Sequence, residues 1–164
     1  FTGRDLGHAP AFDGTDLWPV AQPVQFSNGY VTDGTWVSGA PITLTLRMLL
    51  EGEPFFLKLY HAILSADLAA DGSSTANGIV TGIVDPLELM AETHRVWAIS
   101  VGSDCSFTPE PYDFRESADL LLNGTQDPNA ICDGLSVAFR FTMRRAMLSS
   151  MVTPEDITPD PCPS

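Results

Sequence analysis

The sequence predicts an α+β fold: a mainly antiparallel sheet of about five to six strands, with two amphipathic helices packed on one face. Three observations predict it. Period-two alternation runs through residues 42–63, two capped helix starts follow, and alternation returns near the end of the chain.

The first long run, ITLTLRMLL, sets Ile42, Leu44, Leu46 and Met48 on one face and Thr43, Thr45 and Arg47 on the other. FFLKLYHAIL answers across Glu51-Gly52-Glu53-Pro54, with Phe55, Leu57, Leu59 and Ile63 on its apolar face. A third strand, Asn77–Val84, follows a polar turn headed by Asp71-Gly72. Ahead of these, Asp33-Gly34 between Tyr30-Val31 and Trp36-Val37 is a hairpin dipeptide.

Asp85-Pro86-Leu87-Glu88 starts a helix of about 13 residues: Asp85 caps, Pro86 takes the first position and Glu88 completes a capping box. Leu87, Met90, Ala91, His94 and Trp97 form its apolar stripe. A second start at Asp113 predicts a helix through Leu121 and Leu122 to a stop at Asn123-Gly124. Leu135–Leu148 then resumes alternation, with Arg140 and Arg144 on the wet side.

Organisation follows from composition. Residues 1–30, with Pro10, Pro19 and Pro23, read as an irregular arm laid on the domain and pinned by Trp18, Val20 and Phe26. Residues 31–152 form a single α+β domain. Residues 153–164 are a Pro-rich acidic tail or linker.

The chain has 164 residues and a formal net charge of −13, from 8 basic and 21 acidic side chains. Such a surface repels phosphate, which argues against nucleic acid as a partner. No apolar run approaches the roughly 18 residues of a membrane helix, so no membrane span is expected. The opening FTGRDLGHAP has neither the basic nor the apolar region of a leader, which leaves the compartment to other signals.

Cys105, Cys132 and Cys162 have no zinc spacing. In an oxidising compartment two of them pair; in a reducing one all three are thiols. The turn-rich composition and acidic tail suit a secreted chain, and Cys105–Cys132 is the favoured pair, with Cys162 free, terminal or intermolecular.

Chemistry is sparsely signalled. A hydrolase or metal-dependent enzyme would use His61 and His94 with nearby carboxylates, provided the first helix packs over the strand of His61. No GxSxG turn or paired-histidine motif is present. The loop bearing Asn123, Asp127, Asn129 and Asp133 offers oxygen ligands for calcium but lacks the EF-hand pattern; as an Asn/Asp-rich turn it needs no ion. Trp18 and Trp36, beside turns, are candidates for stacking on a glycan.

The segments GTWVSG (34–39), 57–89 and NGTQDPNAICDGLSVAFRF (123–141) resemble uncharacterised secreted proteins or lipoproteins of myxobacteria and relatives. The resemblance implies export to the periplasm or cell surface and supports the Cys105–Cys132 pairing; it carries no catalytic residue. The resulting expectation is an exported, non-catalytic binding or structural module of the envelope. Another envelope protein would contact it either through Thr43, Thr45, Arg47, Lys58, Arg140 and Arg144, a basic set on an acidic protein, or through the arm and tail.

Overall fold

A computed structural model describes residues 2–3, 18–19, 24–50, 52–102, 105–106, 111–145, 152–153 and 158–162. Its elements in chain order are β1 (Thr2–Gly3), β2 (Trp18–Pro19), β3 (Val24–Gln25), β4 (Tyr30–Thr32), β5 (Thr35–Val37), β6 (Ile42–Leu50), β7 (Glu53–Leu68) and β8 (Ser74–Val84). Helices α1 (Pro86–Ser100) and α2 (Pro111–Glu116) follow, then β9 (Leu135–Arg144) and β10 (Val152–Thr153). Six strands form the main sheet in the order β4-β5-β7-β8-β9, with β6 also paired to β7. The α+β class with a mostly antiparallel sheet is therefore borne out. Short pairs β1–β3 and β2–β10 lie apart from it. Of the predicted arm, residues 1, 4–17 and 20–23, Val20 among them, and the side chain of Trp18 lie outside the described residues.

The chain divides into two compact units. The first comprises Phe1–Ile42, Ala62–Thr81 and Ala138–Glu155. Its hairpin β4–β5 turns at Asp33 and Gly34, both left-handed with φ of 48° and 83°, as an Asp-Gly type I′ turn requires. Antiparallel pairing of β5 with β7 places Trp36 opposite Ala66. Trp36 is buried against Phe26, ring edge to face at 5.4 Å. Beyond β5, Ser38 continues the ladder: its N–H donates to the Leu64 carbonyl, and its hydroxyl accepts from the Leu64 N–H. Asp67 accepts from Thr35 Oγ1 and Asn77 Nδ2. Gly78 lies so close to Phe141 that any Cβ would meet its ring and carbonyl.

The second unit comprises Thr43–His61, Gly82–Val137 and Asp156–Ser164. Leu44 on β6 and Phe55, Leu57 and Leu59 on β7 are buried, as alternation predicts. The prediction for Ile63 fails. His61 has φ of 52° in mid-strand, and this left-handed residue resets the alternation. Beyond it Ala62 and Ala66 are buried, whereas Ile63 is exposed.

Helix α1 starts as predicted: Asp85 Oδ1 accepts from the Leu87 N–H at 2.8 Å, and Pro86 sits in the first turn. Two expectations for it need correction. Glu88 closes no capping box, because its carboxylate reaches Lys58 and Tyr60 instead. The buried positions are Pro86, Arg95, Val96 and Ala98, not the Leu87–Trp97 stripe; Leu87 and Ala91 are exposed. The helix turns its face because Arg95 is buried with its charge satisfied.

Helix α2 ends at Glu116 rather than Leu122. Past that point the backbone pairs across the chain instead of along a helix. The N–H groups of Asp119 and Leu120 donate to the Gly134 carbonyl, and the Gly134 N–H returns to Leu120. Asp119 fixes this arrangement by accepting from both the N–H and the hydroxyl of Ser136. Strand β9 is described to Arg144; its predicted continuation to Leu148 lies outside the described residues.

Candidate functional site

The predicted contact face falls into two parts, one in each unit. In the second unit, Thr43 and Thr45 on β6 are exposed, but the cations beside them are engaged. Arg47 lies over the Phe56 ring at 5.9 Å. Lys58 Nζ binds Glu88 Oε1 at 2.9 Å and stands over the Tyr60 ring at 4.6 Å. In this half of the face Lys58 is neutralised by Glu88 and Arg47 rests on an aromatic ring.

Beside it lies a cleft of about 370 Å3 that sequence reasoning missed, lined by Thr45, Phe56, Lys58, Glu88, Glu92 and Arg95 among others. Glu88, Glu92 and Arg95 share one side of α1 through helical spacing. That spacing is the signal the sequence offers, masked by the apolar residues that share the helical period. Glu92 accepts from Arg95 Nε and Nη2 and from the Phe56 N–H. Arg95 also donates to the carbonyls of Pro54 and Thr158, and its guanidinium lies over Phe56 at 5.6 Å. Every cation of the cleft therefore has an anionic or carbonyl partner. Burial works against the Glu88 carboxylate, yet hydrogen bonds from Lys58 and Tyr60 outweigh it and hold its pKa below the ordinary value. The Tyr60 hydroxyl and Glu88 raise the Lys58 ammonium correspondingly. Hydrogen bonds donated to Glu92 raise Arg95 against its burial. This set is built to neutralise itself and hold α1 to β7.

In the first unit the situation reverses. The alternate residues Ala138, Arg140, Thr142 and Arg144 of β9 are all exposed. Among the described residues neither Arg140 nor Arg144 has an ion pair. The sequence around them, from Gly134 to Pro154, holds no Asp or Glu and carries Arg140, Arg144 and Arg145. In a chain of net charge −13 this is a distinct basic strip.

The remaining candidates are dispersed. His61 is exposed with its ring against Gly124, and His94 is half-buried on α1. Among the described residues no hydrogen bond or ion pair links either imidazole to an acid, and neither lines the cleft. In the proposed calcium loop the oxygens serve the backbone: Asn123 accepts from Thr125, Asp127 from Asn129, and Asp133 from the Leu122 N–H. Among the described residues no three His, Cys, Asp or Glu side chains converge on a metal position. Trp36 is buried and so offers no stacking surface.

The cysteine pairing is corrected. Cys105 bonds Cys162, at a Cα–Cα distance of 5.6 Å, and Cys132 is an exposed thiol. The reason lies in the tail. Thr158 is held by Arg95, and the Cys162 N–H donates to Asp160, so the terminal segment returns to its own unit.

No family model, curated protein or solved structure matches the chain. Among the described residues no helix is long and apolar enough to cross a membrane.

Proposed function

We propose that this chain is an exported, non-catalytic binding module that docks an acidic surface of another envelope protein through Arg140 and Arg144. The observation that carries the reading is the contrast between the two groups of cations. Lys58 and Arg95 are engaged by Glu88 and Glu92, whereas Arg140 and Arg144 stand exposed without an ion pair among the described residues. An acidic protein that keeps two such cations on one strand face gains electrostatic selectivity for an anionic partner. Export is supported by the Cys105–Cys162 bridge, since structural disulfides persist in oxidising compartments.

The test uses poly-glutamate as the probe, titrated against the full chain at low and high salt. Binding should be measurable at low salt, weaken as salt is added, and fall at least about tenfold in Arg140→Glu/Arg144→Glu. Absence of binding by the parent chain, or equal binding by the double variant, removes this reading.

A further inference from the structure

Strand β9 ends the main sheet: among the described residues β8 pairs one of its edges and no strand pairs the other. The direction of its backbone groups follows from two hydrogen bonds. The N–H of Met143 donates to Thr75 Oγ1 on β8, and the N–H of Arg145 donates to the Ser73 carbonyl. The odd-numbered residues at this end of the strand therefore turn their polar backbone toward β8. In an antiparallel strand the intervening residues turn theirs the other way. The N–H and C=O groups of Arg140, Thr142 and Arg144 thus point to the open edge.

We infer that this edge, over Ala138–Arg144, accepts an extended acidic segment of the partner as an added strand; the inference rests on the reading of Arg140 and Arg144 as docking cations. Strand addition draws its affinity from main-chain hydrogen bonds and its specificity from side chains at alternate positions. Both are in place here. Arg140 and Arg144 lie on one face with Thr142 between them, about 13 Å apart at the rise of a strand. Side chains directly across a strand pair are neighbours. The complementary segment therefore carries acids four residues apart. On the other face Phe141 is half-buried and Met143 remains 41% exposed, which favours apolar residues between those acids.

A second copy of this chain is the wrong occupant. Edge-to-edge pairing of two β9 strands would bring arginines against arginines, and the two chains would each carry a net charge of −13.

The test uses labelled seven-residue peptides on the full chain, read by fluorescence anisotropy. The probe peptide has glutamates at its second and sixth positions, valines at the third and fifth, and threonine elsewhere. One control moves the second glutamate by one place, which puts it on the opposite face. Another methylates alternate backbone nitrogens on the hydrogen-bonding side. Strand addition predicts that the probe binds, that each control binds at least about tenfold more weakly, and that Arg140→Gln/Arg144→Gln weakens the probe similarly. If the methylated peptide binds like the probe, or if poly-glutamate binds and no peptide does, strand addition is overturned while the acidic-partner reading stands. If neither poly-glutamate nor the probe binds, both fall.

Discussion

Arg95 shows how one residue redirects an element. Arg95 is only 8% exposed, yet each of its guanidinium nitrogens donates to Glu92 or to the carbonyls of Pro54 and Thr158. Removing one member of a buried, hydrogen-bonded charge pair leaves the other uncompensated. Arg95→Met is accordingly expected to lower unfolding free energy by roughly 3 kcal/mol, measured by chemical denaturation. An effect below about 1 kcal/mol would mean that the pair behaves as a surface ion pair.

The carboxylates predict an acid limb. Hydrogen bonds hold Asp67, Asp71 and Asp119 below their ordinary pKa values, and against burial they do the same for Glu88. A group whose pKa is lowered on folding stabilises the fold above its unfolded value, and that contribution disappears as pH falls through the folded value. The melting temperature should thus be flat near neutrality and drop as pH falls below the ordinary carboxylate range of about 4. Asp119→Asn should make the drop shallower, because its partners Ser136 N–H and hydroxyl favour the charged form. An unchanged pH profile would remove Asp119 from the account.

At the scale of elements, what the sequence makes legible is local. Alternation and turn chemistry suffice for β6, most of β7, the β4–β5 hairpin and the start of α1, because each signal lies within a few residues of its effect. Misreadings arise where distant groups intervene. Nothing in the alternating pattern marks His61 as left-handed, so the burial of Ile63 is misplaced. Helix α2 is cut short by Gly134 and Ser136, which lie more than a dozen residues away from its end. Glu88 abandons its capping role for Lys58 and Tyr60 on β7. Of the contact face, Arg140 and Arg144 are visible from alternation alone, but the pairing of Lys58 depends on where α1 lies.

Two element-level changes follow. Opening the Cys105–Cys162 bridge frees a loop closed across a sequence separation of 57, worth about 4 kcal/mol in the chain-entropy account. Cys162→Ser should lose stability on that scale in thermal or denaturant unfolding, whereas Cys132→Ser should be near neutral. Equal effects would contradict the observed pairing. Gly78→Ala places a methyl into the Phe141 ring and carbonyl and should cost about 1–3 kcal/mol, because backbone as well as side chain must shift.

At the scale of the whole molecule, the chain combines a strongly acidic composition with one acid-free basic segment on the last strand of its main sheet. The first unit holds that strand's exposed arginines, whereas in the second Lys58 and Arg95 are paired with Glu88 and Glu92. This division underlies the reading of β9 as the docking element and of the α1–β7 contact as support. The most direct test is residue-resolved backbone hydrogen exchange over Ala138–Arg144, with and without the acidic peptide. The account predicts that Arg140, Thr142 and Arg144 exchange fast alone and slow when the peptide binds, while Phe141 and Met143 change little. Bound peptide with no slowing at those three amides would contradict it.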